Sequence, residues 1–230
     1  MYKLYWQRDT SSTAAMAILE EIGEPFDMQE LIWERGDTET PEYLKVSPLG
    51  LFPALELGDG TSMFESAAMV QILCDRHPEI NLAPLIDESD RPKYLQWLYY
   101  LSNTIYPSTT RIWHPERFTT NPEYEPTVKE QALITIMEQW LGIETYLEKG
   151  GPYLLGDRFS ACDIYLQMIT TWLEDPADLL NTFPSICNLV KEVVSRESCR
   201  IANDRHNPKT GLEENQKAQA ASKQTLKNRL

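Results

Sequence analysis

Four short stretches hold residue types able to do chemistry, and all four lie in the first third of the chain. Thr10-Ser11-Ser12-Thr13 sets four hydroxyls between a strand-like segment and a helix. Backbone amides at a helix start carry partial positive charge, so such a place favours an anion. A hydroxyl beside them can donate a hydrogen bond to an oxyanion or a thiolate, and Ser11 and Ser12 are the candidates. Ser and Thr are also the ordinary N-caps of helices, and the residues alone leave both readings open. The second stretch is Ser47-Pro48-Leu49-Gly50-Leu51-Phe52-Pro53-Ala54-Leu55. Pro53 stands at the mouth of a strand, where proline is tolerated at the first residue or on an edge. A cis Phe52–Pro53 bond, the minority isomer, would turn the Phe52 N–H and C=O outward to pair with an extended, peptide-like ligand. Third, Glu65-Ser66 opens a helix. The serine hydroxyl and the helix amides can hold a carboxylate while Glu65 holds an ammonium group, so the pair can read an α-amino acid head group. The fourth is Arg35, a possible carboxylate partner in a polar loop.

Other chemistries lack their signatures. The chain has no G-x-S-x-G, no phosphate-binding loop, no G-x-G-x-x-G and no H-E-x-x-H. Cys74, Cys162, Cys187 and Cys199 form no C-x-x-C pair and read as free thiols filling the core. His77, His114 and His206 are dispersed, and nothing has metal-ligand spacing, so no metal is expected.

The elements that must position these residues change character near residue 80. Before it, Lys3–Gln7 reads as a strand, Ala14–Ile22 as a helix stopped by Gly23, and Pro25–Leu31 as a second strand. A polar stretch, Glu34–Pro41, follows. Pro53–Leu57 and Thr61–Glu65 read as a hairpin around Gly58-Asp59-Gly60, and Ser66–Arg76 as a helix ended by His77-Pro78. After residue 89 the strand signals vanish. Arg91–Tyr106, Thr127–Lys149, Ser160–Trp172 and Pro184–Ser195 are predicted helices, the second with Ala132, Ile136, Trp140, Ile143 and Leu147 on one face. The expected fold class is α+β/α: a βαβ-ββα domain over residues 1–77, a linker at 78–89, and an all-α bundle at 90–204.

A chain of 230 residues with 42 % hydrophobic content and six Trp can bury a core without staples. No apolar run approaches the roughly 18 residues a membrane helix needs, and the opening MYKLYW runs into polar QRD without a signal-peptide core. The expected compartment is the cytoplasm, with no membrane partner. A net charge of −14 argues against nucleic acid as a partner. Residues 205–230 hold six basic against two acidic residues, leaving 15 against 33 in residues 1–204. That basic, polar tail reads either as a solvated extension or as a helix folding back over the acidic body.

Taken together, Lys3–Trp6, Ala17–Gly23, Ser47–Leu55 and Phe64–Ala68 resemble the soluble glutathione transferase superfamily over about residues 2–203. In the second part, Leu155–Leu166 matches that family's folding motif, with Ser160-x-x-Asp163 as a capping box. Gln96–Tyr100 and Tyr124–Val128 give the bacterial beta-class flavour. The resemblance implies a thioredoxin-like first domain and glutathione as co-substrate. It implies that glutathione is held by the Phe52 backbone beside cis-Pro53 and by Glu65 and Ser66. It also implies a homodimer, a small hydrophobic electrophile as second substrate, and a detoxifying conjugation. The beta-class Cys is replaced by Ser11, with Ser12 the competing hydroxyl, so a hydroxyl-assisted thiolate is the implied mechanism. Leu51 stands where the family often has a basic residue, and Arg35 is the candidate replacement. Tyr106 stands where a beta-class His often faces the second substrate; with Tyr99, Asn103 and Trp113 it forms the expected electrophile lining. The same site also suits dehalogenation, ether cleavage, isomerisation or peroxide reduction, and a ligand- or partner-binding member without catalysis is the remaining alternative.

Overall fold

The computed structural model describes residues 1–173 and 176–206. β1 (Lys3–Trp6) has two sheet neighbours. Asp27–Glu30 lies parallel to it as β2, and β3 (Ala54–Glu56) lies antiparallel on its other side. β4 (Ser62–Phe64) closes the hairpin, giving the order β2-β1-β3-β4. Leu4 and Leu55 face each other at the centre and are fully buried. At the hairpin, Gly58 has φ +79°, and a Cβ there would lie 2.6 Å from the Met1 nitrogen, so only glycine fits.

α1 (Ser12–Ile22) is buried from Ser12 to Leu19 and ends on Gly23, whose N–H donates to the Leu19 carbonyl. Ala14, Ala15 and Ala17 keep this helix slim enough to be covered on several sides. The polar stretch after β2 is more ordered than expected. It holds two 3₁₀ turns and then α2 (Pro41–Val46), capped by Thr40, whose hydroxyl accepts from the Tyr43 N–H. Six residues are too few to show a helical period in the sequence. α3 (Ser66–Arg76) has the predicted bounds.

In the expected linker, Leu82 and Ala83 are buried, and the Leu82 carbonyl accepts from the Ala161 N–H at 2.8 Å. Arg91 grips Asp75 with both guanidinium nitrogens, at 2.6 and 2.8 Å. The next helix does not stop at Tyr106 as predicted. α4 (Arg91–Tyr100) passes through a π-helical turn, Leu101–Ile105, into α5 (Tyr106–Trp113). Pro107 lacks the N–H that would close onto the carbonyl four residues back, and the ladder widens just upstream instead of ending.

α6 (Glu125–Gly150) buries the expected Ala132, Ile136, Trp140, Ile143 and Leu147. α7 (Ala161–Thr170) is wholly buried and begins on the Ser160–Asp163 capping box. The sequence reading missed α8 (Pro176–Thr182) and α10 (Glu197–His206), while α9 (Pro184–Ser195) has the predicted bounds. α10 carries too few apolar residues to declare a face, and its order comes from α1, against which it lies. Arg205 and His206, expected in the tail, form its last turn; residues 207–230, the rest of that expectation, lie outside the described residues. No described helix is long and apolar enough to cross a membrane.

Candidate active site

Strand register brings the sequence-predicted stretches to one end of the sheet. Tyr5 pairs with Ala54, and Ala54 pairs with Phe64. The end of β1, the start of β3 and the end of β4 therefore lie side by side, and with them the Gln7–Ser12 turn, Phe52-Pro53 and Glu65-Ser66. β2 runs parallel to β1 and delivers Trp33 to the same end. The Trp33 N–H donates to Gln7 Oε1 at 3.0 Å, and its ring meets the Phe52 ring edge-on at 5.7 Å.

Within the hydroxyl turn the four side chains divide. Thr10 takes up the capping: its hydroxyl accepts from the Ser12 N–H and donates to the Gln7 carbonyl at 2.7 Å. Thr13 donates back to the Thr10 carbonyl. Ser12 is fully buried, with its Oγ 2.7 Å from the Thr10 hydroxyl, 3.2 Å from the Gln7 carbonyl and 3.3 Å from His206 Nε2. Ser11 is the N-cap residue of α1 by position, yet its side chain makes no capping bond. It lies close enough to the Tyr106 hydroxyl to interact with it. Burial raises the Tyr106 pKa, the interaction with Ser11 pulls it back, and the nearby Glu65 charge raises it further. Tyr106 is thus protonated at neutral pH, within electrostatic reach of both Ser11 and Glu65.

The Phe52–Pro53 bond is cis. Its approach is fastened on both sides of Leu51: the Ser47 hydroxyl accepts the Leu51 N–H at 3.1 Å, and the Tyr43 hydroxyl donates to the Leu51 carbonyl. Gly50, at φ +63°, makes that bend where a Cβ would press the Thr38 carbonyl at 3.1 Å. The Phe52 N–H and C=O themselves make no hydrogen bond with any other described residue. Glu65, just before α3, has φ +75°. A non-glycine residue held there costs on the order of 1–3 kcal/mol, and such residues cluster at ligand sites. The Ser66 hydroxyl is buried, 2.8 Å from the Tyr165 hydroxyl, whose pKa burial pushes above its ordinary value. With Tyr165 donating, the Ser66 hydrogen is left to point elsewhere.

The expected electrophile lining is split. Tyr106 stacks at a tilt on Trp172, with ring centroids 4.8 Å apart, and Trp113 Nε1 donates to the Trp172 carbonyl. Tyr99 instead donates to Gln71 of α3 at 2.9 Å, and Asn103 is exposed beside Ser102. The π turn between Tyr99 and Tyr106 is the reason. It admits one extra residue, and one residue is about 100° of helix rotation. The sequence reading put Tyr99, Asn103, Tyr106 and Trp113 in one lining. It also missed Trp172, an aromatic just past a helix end with no periodic signal. Arg35 is 60 % exposed and already paired with Asp37 at 2.8 Å, and Asp37 also accepts the Ile32 N–H. The guanidinium beside it holds the Asp37 carboxyl below its usual range. Among the described residues no group of His, Cys, Asp and Glu is placed to hold a metal ion.

A thioredoxin-like sheet with its helices, followed by a helical bundle, defines the class of protein. Residues 11–76 match the family model for the glutathione S-transferase N-terminal domain and residues 114–202 that for the C-terminal domain. Glutathione S-transferase GstA of Escherichia coli O157:H7 is 31 % identical over 175 residues, covering 74 % of this chain and 81 % of that one. A glutathione transferase homologue from Sulfitobacter, solved with bound glutathione, superposes with a TM-score of 0.80 at 25 % identity, over 89 % of this chain and 98 % of the other. A glutathione transferase from Methylococcus capsulatus gives 0.77 at 30 % identity, over 90 % and 98 %. This chain belongs to the soluble glutathione transferase superfamily, a family of transferases.

Proposed function

We propose that this protein conjugates glutathione to small hydrophobic electrophiles, with Ser11 stabilising the thiolate. The carrying observation is the Ser11 hydroxyl: it stands at a helix start with no capping bond, close enough to the Tyr106 hydroxyl to interact with it. The tripeptide would lie along Phe52, whose free N–H and C=O suit its cysteinyl main chain. Glu65 takes its ammonium group; Ser66 and the first amides of α3 take the α-carboxylate. Arg35 remains a rim charge for the far carboxylate. Ser12 is the weaker candidate, since its hydroxyl is buried among Thr10, Gln7 and His206. The glutathione-binding domain is residues 1–77, and after the 78–89 segment the bundle supplies the second substrate's wall: Tyr106, Trp113 and Trp172.

A free thiol of pKa about 8.5 is only a few per cent thiolate at neutral pH. A hydrogen bond to the charged sulfur is worth roughly 1.5–3 kcal/mol, enough to lower that pKa by about one to two units. The thiol proton leaves to solvent. The sulfur pair then forms a C–S bond as the leaving group departs with its own pair, or as an activated double bond accepts it. A thiol–disulfide route fits less well: Cys74, Cys162 and Cys199 are buried, and burial pushes Cys74 up to about 12 and Cys199 to about 11. A homodimer is supported by the exposed stripe of Leu133, Met137 and Leu141 on α6, and the cytoplasm remains the proposed location. The test is Ser11→Ala. kcat/KM for a generic aryl halide should fall about 10- to 100-fold, with the pH profile displaced upward. Retention on immobilised glutathione should persist. An unchanged profile removes Ser11 from the mechanism.

A further inference from the structure

α1 and α10 form an antiparallel pair fastened at both ends. At one end, Arg196, just before α10, grips Glu21 with two 2.8 Å bonds, and Ser198 also donates to Glu21. At the other, His206, the last residue of α10, reaches the first residue of α1, with Nε2 3.3 Å from Ser12 Oγ. His206 is 3 % exposed, and its ring lies 5.1 Å from that of Trp6. Its Nδ1 has no partner among the described residues. The imidazole is therefore placed by packing and by one polar contact, and that contact enters the turn bearing the candidate hydroxyl.

The turn is tied together by its own hydroxyls. Asp9 within it is held at φ +56°. Thr10 donates its hydrogen to the Gln7 carbonyl, and Ser12 can donate to the same carbonyl or to Thr10. With those hydrogens placed, the Ser12 oxygen is free to accept from the His206 Nε2–H. A serine at the N-cap position ordinarily turns its oxygen onto the amides of the first turn. Ser11 does not. Were Ser12 released, Ser11 could rotate into that ordinary cap and leave the site.

We propose that His206 is a positioning residue: held between Trp6 and Ser12, it pins the Gln7–Ser12 turn in the arrangement that keeps the Ser11 hydroxyl uncapped and available to the site. The proposal rests on the reading of Ser11 as the thiol-stabilising group. It assigns the end of α10, far away in sequence, a task at the start of α1.

His206→Phe keeps the ring against Trp6 and removes the polar contact. His206→Gln restores a nitrogen near the Nε2 position. Two readouts are used: amide hydrogen exchange of residues 8–13 in the ligand-free protein, and the thiolate absorbance of bound glutathione titrated against pH. H206F should exchange faster in the turn and bind glutathione with a higher thiol pKa, with kcat/KM about three- to tenfold lower, the worth of one hydrogen bond. H206Q should recover most of both. Should H206F not fold, Ser12→Ala removes the same contact from the other side, and the same shifts are expected. Faster exchange with an unmoved thiol pKa overturns the proposal, as does a profile common to the parent, H206F and H206Q. A parent protein that leaves the pKa of bound glutathione unlowered is a different failure: it removes the Ser11 reading, and this proposal with it.

Discussion

Ser160 and Ser11 each stand at the residue before a buried helix, and they are used in opposite ways. Ser160 belongs to a closed capping box. Its hydroxyl and N–H face the Asp163 carboxylate at 3.1 and 2.7 Å, and Asp163 also accepts the Leu154 N–H at 2.9 Å. Ser11 has Ala14 three residues on, so it has no acidic partner to close a box. Its capping duty passes to Thr10. One helix start closes its own serine into a box with a nearby acid; the other leaves its serine out of the cap, and a residue far away in sequence reaches its first turn. A serine before a helix is left uncapped where the preceding residue's hydroxyl takes the first amide.

Breaking the closed start should have the largest effect. Asp163→Ala leaves two buried N–H groups and a hydroxyl without their acceptor, which should cost about 3–5 kcal/mol. For a chain of this size that is a fall of about 10 °C in Tm. The thiol pKa of glutathione bound to the surviving folded fraction should stay where it is. A loss of thiol activation without a loss of stability would erase the contrast between the two starts.

Next comes acid. Burial lowers the His206 pKa to about 4, and Arg8 pushes the same way. The Glu20–Arg205 pair, at 3.6 Å, is the neighbouring ion pair between α1 and α10. Between the ordinary pKa of about 6.5 and the folded value, the unfolded chain binds a proton that the native one refuses, so stability falls as pH drops through that window. The loss should be on the order of 3 kcal/mol by pH 4. Urea titrations of the parent and His206→Gln at a series of pH values would check it: the variant should lack this slope, and parallel curves would refute it.

The smallest change is expected at the rim. Arg35→Ala removes an exposed side chain already paired with Asp37, and surface pairs of this kind contribute little. The KM for glutathione should move by no more than a few-fold with kcat constant. A large rise would make Arg35 a main anchor and would show that an outside residue supports the tripeptide at this end as His206 does the turn.

Much of this was legible in the residues. The helices Ser66–Arg76 and Pro184–Ser195 have the predicted bounds because a cap or a proline marks the start and the pattern is strong. The capping box was readable because a serine and an acid three residues apart need only local geometry to meet. α2 was too short and α10 too polar to be seen. The π turn that separates Tyr99 from Tyr106 has no periodic signature in the sequence, though Pro107 stands just downstream of it.

From the residues alone come the local pieces: the strands and the strongly patterned helices, the caps and turns that bound them, and the four stretches that carry reactive groups. Those follow from backbone preferences and from spacing within a few residues. Only the closed fold shows which hydroxyl is left out of the cap, that Tyr106 stacks on Trp172 while Tyr99 bonds Gln71, and that His206 reaches Ser12. Such facts depend on strand register, helix phase and the docking of α10, contacts between residues up to 194 positions apart. No local preference encodes them, because each is fixed only when the core closes and every buried polar group must find its partner.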